Sequence, residues 1–159
     1  MADEAPNFLI EDARIMFRNF SGKEGKYNDE GERSFSVILP PDLADRLQKD
    51  NWNVRALSSR EEGEPDVPYL SVKVSYKNRP PQVTLINGAG GRTYLDEAAV
   101  GMLDGIDIKN VDLICRGYQW EVNGKVGVKA YLQTMFVTIE EDALQRKYAE
   151  YDDATSHRN

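Results

Sequence analysis

The chain has 159 residues, of which 40% are hydrophobic and 30% charged, and it carries a formal net charge of −7. These values are ordinary for one soluble globular domain, and no apolar run approaches the roughly 20 residues that a membrane span needs. The single cysteine, Cys115, and the single histidine, His157, exclude a disulfide framework within the chain and a zinc site of the Cys/His type.

The same scarcity of cysteine and histidine bears on catalysis and on compartment. A Ser-His-Asp or Cys-His arrangement would have to use His157, which lies close to the C-terminus, where a base is poorly held. The sequence therefore predicts a protein that is not an enzyme and that uses no cofactor. The acidic N-terminus is unlike a secretory signal, so we expect a protein of the reducing cytoplasm.

The negative charge is unevenly distributed along the chain. Acidic residues cluster in 1–12, 61–66 and 140–159, whereas residues 69–94 carry a local charge of +4 and residues 13–27 one of +3. Within a Debye length of about 8 Å the local field matters more than the average charge. The two basic segments therefore allow a nucleic-acid partner; a randomly mixed, solvated surface is the alternative.

Apolar periodicity and the positions of glycine and proline predict a mostly extended chain. The predicted elements, in chain order, are a strand over 7–20, a glycine-rich hairpin loop over 21–32, a strand over 33–39, a short helix from 40 to 51, a strand over 52–57, an acidic mobile loop over 58–68, strands over 69–77 and 83–86, a flexible stretch over 88–91, a helical turn over 96–103, a long hairpin over 111–139 and a helix over 140–148.

About seven short strands with two or three small helices predict a mainly β fold, and the layout suits an OB-like five-stranded Greek-key barrel with extra hairpins. A β-sandwich is the alternative. We expect one domain over residues 1–148, followed by a flexible C-terminal tail over 149–159.

Asn123-Gly124 is the strongest hairpin signal in the sequence, because this pair favours a two-residue type I′ turn. Such a turn determines the register of both strands. The predicted pairs are Val122 with Lys125, Trp120 with Gly127, Tyr118 with Lys129, Arg116 with Tyr131 and Ile114 with Gln133 on one side, and Glu121 with Val126, Gln119 with Val128, Gly117 with Ala130, Cys115 with Leu132 and Leu113 with Thr134 on the other.

The second side is small and apolar toward its base, which suits a core. The first side combines aromatic rings with cations, as a nucleic-acid strand requires: bases stack on rings for about 1–3 kcal/mol each, and cations neutralise phosphates. Gly127 opposite Trp120 is expected to leave an open platform for a base. Cross-strand pairing of aromatics for stability alone is the alternative. The candidate binding residues of this face are Arg116, Tyr118, Trp120, Lys125, Lys129 and Tyr131.

Two further segments add to the candidate DNA-binding surface. The first hairpin offers a basic and aromatic strip that includes Phe17, and the strand over 69–77 with its following residues offers a basic row. The candidate binding residues from these segments are Arg18, Phe20, Lys26 and Tyr27 in the first, and Lys73, Lys77 and Arg79 in the second.

Three other features of the sequence give weaker indications of function. The segment 88–92 is glycine-rich but lacks the ending of a P-loop, so we interpret it as a flexible loop. Asp104, Asp107 and Asp112 lack the order of a calcium loop, and the sequence predicts no metal site. Cys115 lies on the core side of the hairpin and is expected to be an inert, small apolar residue.

The sequence resembles the single-stranded DNA-binding proteins of tailed bacteriophages, especially those of actinobacterial hosts. The resemblance spans about residues 8–148 and rests on the stretches 13–22, 27–28, 33–37, 52–54, 69–74, 110–114 and 129–132. It implies an OB-like fold and a role in phage replication, recombination or repair in the host cytoplasm. It also implies phage or host replication and recombination proteins as partners, and allows a homodimer. The tail lacks the closing apolar residue typical of such partner contacts.

Two other functions compete with DNA binding. A protein-interaction or virion structural module would use the same aromatic face as an interface hot spot, and the acidic average charge suits it. A nuclease would need a metal-binding acidic cluster, which the sequence does not provide.

Overall fold

The computed structural model describes residues 4–26, 28–58, 61–77 and 79–140. The prediction of a mainly β fold is confirmed. The described part contains nine strands, one α-helix and one 3₁₀ helix: β1 Glu4–Ile10, β2 Ile15–Asn19, β3 Arg33–Ile38, α1 Pro41–Lys49, β4 Arg55–Leu57, β5 Val67–Val74, β6 Gln82–Ile86, β7 Arg92–Tyr94, the 3₁₀ helix Val100–Asp104, β8 Ile108–Val122 and β9 Lys125–Ile139.

The strands form one mixed sheet in the order β1-β8-β9-β5-β3-β2. β4 pairs with β5, and β6 pairs with both β7 and β9. The β5–β9 and β6–β9 pairs are parallel. Ala13, just before β2, donates its N–H to the Val111 carbonyl of β8 at 2.7 Å. The start of β2, at one end of the strand order, therefore lies close to β8, near the other end.

The alternation of side chains along the strands builds one core. Leu70, Val72 and Val74 of β5 are buried, as are Phe35 and Val37 of β3. The long hairpin contributes the buried residues Val111, Leu113 and Cys115 from β8 and Leu132, Met135 and Val137 from β9. In β8 the alternation stops at Gly117, and residues 118–122 are all exposed. The outer half of the hairpin therefore projects beyond the core.

Helix α1 covers one end of this core. Pro41 lies in its first turn, where the missing N–H costs nothing, and Ala44 and Leu47 are buried at helical spacing. The chain leaves the helix through Asn51 in the left-handed region (φ 69°), so the predicted end of the helix is confirmed. Trp52 then packs edge-on against Phe8, with ring centroids 5.1 Å apart.

The predicted count of about seven strands is too low for two local reasons. The predicted strand over 7–20 divides at Asp12, whose φ of 52° turns the chain and whose N–H is donated to the Asp112 carboxylate at 2.9 Å. The short strand β7 was missed because its three residues are all exposed and have no apolar face. The predicted helix over 140–148 and the tail over 149–159 lie outside the described residues.

Within the described ranges, no helix combines the length and apolarity that crossing a bilayer would take.

Cys115 offers a direct test of the core. Its side chain is fully buried, and burial raises the pKa of the thiol. We expect alkylation of the native protein at pH 8 to be slower than in guanidinium by on the order of a thousandfold or more, because labelling requires an opening of the core. Mass spectrometry of quenched samples measures this rate, and the denatured protein is the control. Rapid labelling of the native protein would contradict the predicted burial.

Candidate nucleic-acid interface

The β8–β9 hairpin is built on the turn that the sequence predicts. Asn123 and Gly124 both have positive φ values, 53° and 78°, as a type I′ turn requires. The predicted pairs are confirmed from Val122 opposite Lys125 down to Cys115 opposite Leu132.

Below Cys115 the predicted register is wrong by one residue. Ile114 lies opposite Thr134 rather than Gln133, and Leu113 opposite Met135 rather than Thr134. Gln133 is the additional residue of a β-bulge, and its side-chain oxygen accepts a hydrogen bond of 2.8 Å from Asn7 on β1. The rule for a two-residue turn contains no information about such a distant contact. The outer half of the hairpin, which carries the candidate interface, is unaffected.

The outer half brings the predicted rings and cations to one side of the ribbon, here called the hairpin face: Arg116, Tyr118, Trp120, Lys125, Lys129 and Tyr131. Tyr118 is 49% exposed and Trp120 39%. The rings of Tyr118 and Tyr131 meet edge to face, with centroids 6.4 Å apart.

Tyr131 is held at the inner end of this face by two cations. The Arg116 guanidinium lies 5.3 Å from the centre of its ring, and the Lys129 ammonium lies 5.7 Å from it. Such contacts favour a cation over an aromatic ring and order both groups. The hairpin face therefore presents ordered rings next to positive charge.

Trp120 does not leave the open platform that the sequence predicts. A Cβ atom built on Gly127 would lie 2.6 Å from Cε2 of Trp120, so the indole rests directly on the glycine backbone. Gly127 is itself buried by this contact. The expectation of an empty platform is wrong because the indole fills the space that the missing side chain leaves. One side of the ring packs on the ribbon, and the exposed remainder faces solvent.

A basic row of β5 lies next to the hairpin face. Lys73 is directly opposite Tyr131 in the parallel β5–β9 pair. Its ammonium forms an ion pair of 2.9 Å with the carboxylate of Glu32. The hydrogen bond and charge of Lys73 lower the pKa of Glu32, and the hydrogen bond to Glu32 raises the pKa of Lys73. Partial desolvation, and then the charge of Lys73, lowers the pKa of Lys129.

Two of the predicted binding residues, Phe20 and Arg18, make contacts within the protein. Phe20 is fully buried and stacks on Phe35 with centroids 5.2 Å apart, so its ring is inaccessible to a base. Arg18 is partly buried, and its guanidinium donates hydrogen bonds to the carbonyls of Leu103 (2.7 Å) and Ile106 (2.9 Å). The assignment of Phe20 is wrong because its ring lies in the core, whereas the role of Arg18 in binding stays a prediction. The register of β2 shifts between Met16 and Asn19, so the alternation of the sequence does not carry on regularly to Phe20.

The other predicted residues are distributed around this surface. Lys26, Lys77, Arg79 and Lys125 are exposed, and their role in binding stays a prediction. Lys77 lies near enough to Glu32 that its charge contributes to lowering the pKa of that carboxyl. Tyr27 lies outside the described residues.

Asp104 and the glycine-rich segment 88–91 form hydrogen bonds within the protein. Asp104 accepts the N–H groups of Phe20 (2.7 Å) and Ser21 (3.0 Å). In the segment 88–91, the N–H groups of Ala89 and Gly91 are donated to the Asn87 side chain. This ordered turn directs those donors at Asn87, away from any phosphate.

Sequence reasoning missed a second pair of partly exposed aromatic rings. Phe17, which was only grouped with the first strip, is 63% exposed, and its ring lies 6.2 Å from that of Tyr69. Tyr69 lies on the same face of β5 as Lys73, since residues two apart in a strand share a face. That alternation was the available signal for Tyr69.

Two solved structures resemble the chain at 11% sequence identity: the single-stranded DNA-binding protein from bacteriophage Enc34 in complex with ssDNA (TM-score 0.52, covering 86% of this chain and 88% of that chain), and the same phage protein in another structure (TM-score 0.51, covering 86% and 82%). At this identity the likeness shows a shared fold.

No individual curated protein sequence was found to match the chain. Residues 2–157 match the family of phage ssDNA-binding domains, which is nearly the whole length. The aromatic and cationic hairpin thus belongs to a chain that matches this family over nearly its whole length. This protein is a member of the phage ssDNA-binding domain family.

Proposed function

We propose that the protein binds single-stranded DNA without sequence preference, as an OB-type module of phage DNA replication, recombination or repair in the host cytoplasm. The observation that carries this proposal is the hairpin face, where the exposed rings of Tyr118 and Trp120 lie beside Arg116 and Lys129. Rings of this kind stack on any base, and cations of this kind neutralise phosphates irrespective of sequence. Binding, rather than catalysis, is the proposed activity.

Protein partners are supported by fewer observations than DNA is. Contacts with replication and recombination proteins, a homodimer and an actinobacterial host are predictions of the sequence resemblance alone. The tip of the hairpin favours a protein partner as a second function, because Val122 and Val126 are 58% and 59% exposed. A protein interface without DNA binding would leave the fluorescence of Trp120 insensitive to oligothymidine.

Removing the two exposed rings tests the main proposal. We expect Tyr118→Ala with Trp120→Ala to weaken binding of oligothymidine by about 2–6 kcal/mol, because each stacked base contributes about 1–3 kcal/mol. Fluorescence anisotropy of a labelled oligonucleotide at fixed salt measures the loss. Tyr94→Ala is the matched control, since Tyr94 is 56% exposed on β7, outside the hairpin face. Equal affinity of the double variant and the wild type would remove the hairpin from the mechanism.

The contact between Trp120 and Gly127 makes a finer prediction. We expect Gly127→Ala to displace the indole, to shift its emission to the red and to weaken DNA binding by about 1 kcal/mol, the cost of losing an ordered platform. Gly105→Ala is the control, because a Cβ atom there meets nothing within 4 Å. Unchanged emission together with unchanged affinity would show that the indole does not depend on Gly127.

Glu32 is expected to oppose DNA binding, since it occupies Lys73 at 2.9 Å. The hydrogen bond from Lys73 lowers the pKa of this carboxyl and so favours its charged form. We expect Glu32→Gln to tighten binding several-fold and to steepen the slope of log K against log salt by about 0.7, the value of one additional phosphate contact on a single strand. Glu11→Gln, an exposed carboxylate in the turn after β1, is a control with the same change of charge. Weaker binding by Glu32→Gln would mean that the ion pair positions Lys73.

A further inference from the structure

Phe17 is held outward by an unfavourable backbone. It has a φ of 52°, in the left-handed region that aromatic residues rarely adopt, at the bulge between Met16 and Asn19. Such a conformation is unfavourable for a residue with a side chain, and a ring that is 63% exposed recovers little of that cost through burial. Neither backbone preference nor burial in the core therefore explains why position 17 holds an aromatic residue.

The ring of Phe17 reaches across the sheet to Tyr69. β3 lies between β2 and β5, yet the two ring centroids are 6.2 Å apart with an interplanar angle of 68°. Since Tyr69 shares its face of β5 with Ser71 and Lys73, the pair stands on the face that continues from Tyr131. It forms a second aromatic wall on the same side of the sheet as the hairpin face.

Small polar side chains separate the two aromatic walls. Ser36 lies opposite Ser71, and Ser34 opposite Lys73. Tyr69 and Lys73 are four residues apart, which corresponds to about 13 Å along a strand. At about 3.4 Å per stacked nucleotide, a few nucleotides cross this distance. Ser36 is buried, whereas Ser71 is exposed between Tyr69 and Lys73, so its small side chain leaves room for such a crossing.

Charged side chains lie beside the pair of Phe17 and Tyr69 and in the connection next to it. Arg55 of β4 is exposed and lies directly opposite Tyr69, so a cation stands beside the second pair. Beyond it, the connection from β4 to β5 carries the exposed acids Glu61, Glu62, Glu64 and Asp66. These acids repel a polyanion, so a bound strand would run as far as Arg55 and no further along this edge.

We propose that Phe17 and Tyr69 form a second base-stacking subsite for single-stranded DNA, with Arg55 on the adjoining phosphate. The strand runs from the hairpin face over Lys73 and Ser71 to this subsite. The inference rests on the proposed function and extends it, because it assigns a place and a length to the bound strand. The hairpin face holds short oligonucleotides by itself, and longer ones engage both subsites.

The test compares oligothymidines of about 4 and about 16 nucleotides, the range of lengths that one such domain covers. Phe17→Asn removes the ring, and asparagine tolerates the left-handed backbone, so thermal unfolding should be unchanged or improved. We expect this variant to bind the longer oligonucleotide about 5- to 150-fold more weakly, which corresponds to 1–3 kcal/mol, and the shorter one as the wild type does. Leu57→Ala is the control, an exposed apolar residue on the same strand as Arg55.

A local probe gives an independent readout. In the protein with Trp120→Phe and Phe17→Trp, the other tryptophan, Trp52, is 4% exposed and serves as a constant background. We expect the longer oligothymidine to quench emission from position 17. Normal affinity of Phe17→Asn for both lengths, with no quenching at position 17, would overturn the second subsite and leave the proposed function intact. Failure of the wild type to bind either length would overturn both.

Discussion

The type I′ turn at Asn123-Gly124 is the constraint on which the rest of the molecule depends. A two-residue turn leaves no freedom of register, so it decides which side of each strand faces the core from the turn as far as the Cys115–Leu132 pair, where the bulge at Gln133 begins. The same alternation that buries Cys115 and Leu132 sends Tyr118 and Lys129 to solvent. One ribbon therefore builds both the core and the candidate interface, and a slip of one residue would destroy both.

The surface of this acidic protein has a local cluster of cations beside the hairpin face. The net charge is −7, yet Lys73 and Lys129 stand together beside the rings of the hairpin. Glu32 reduces the repulsion between these cations in the absence of DNA, at the cost of competing with phosphate. The ion pair is part exposed, so its own contribution to stability is small. We expect its greater effect to be on DNA binding, where Glu32 competes with phosphate for Lys73.

Much of the fold and part of the site could be predicted because they depend on local rules. The turn, the outer register, helix α1 and the buried face of β5 follow from residue types a few positions apart. The bulge at Gln133, the turn at Asp12 and the outward Phe17 could not, because each is decided where distant strands meet. Phe20 was misassigned for the same reason: an alternating pattern says nothing about where a bulge interrupts it.

The sequence by itself determined that the chain folds as a mainly β domain and that one hairpin gathers rings and cations, since alternation and turn chemistry are properties of neighbouring residues. Only the tertiary structure decided how those groups are used: the indole of Trp120 seated on Gly127, Lys73 held by Glu32, and Phe17 brought to Tyr69 across β3. These contacts join residues far apart in the chain, and their geometry depends on how the sheet curves and bulges, which no local pattern encodes.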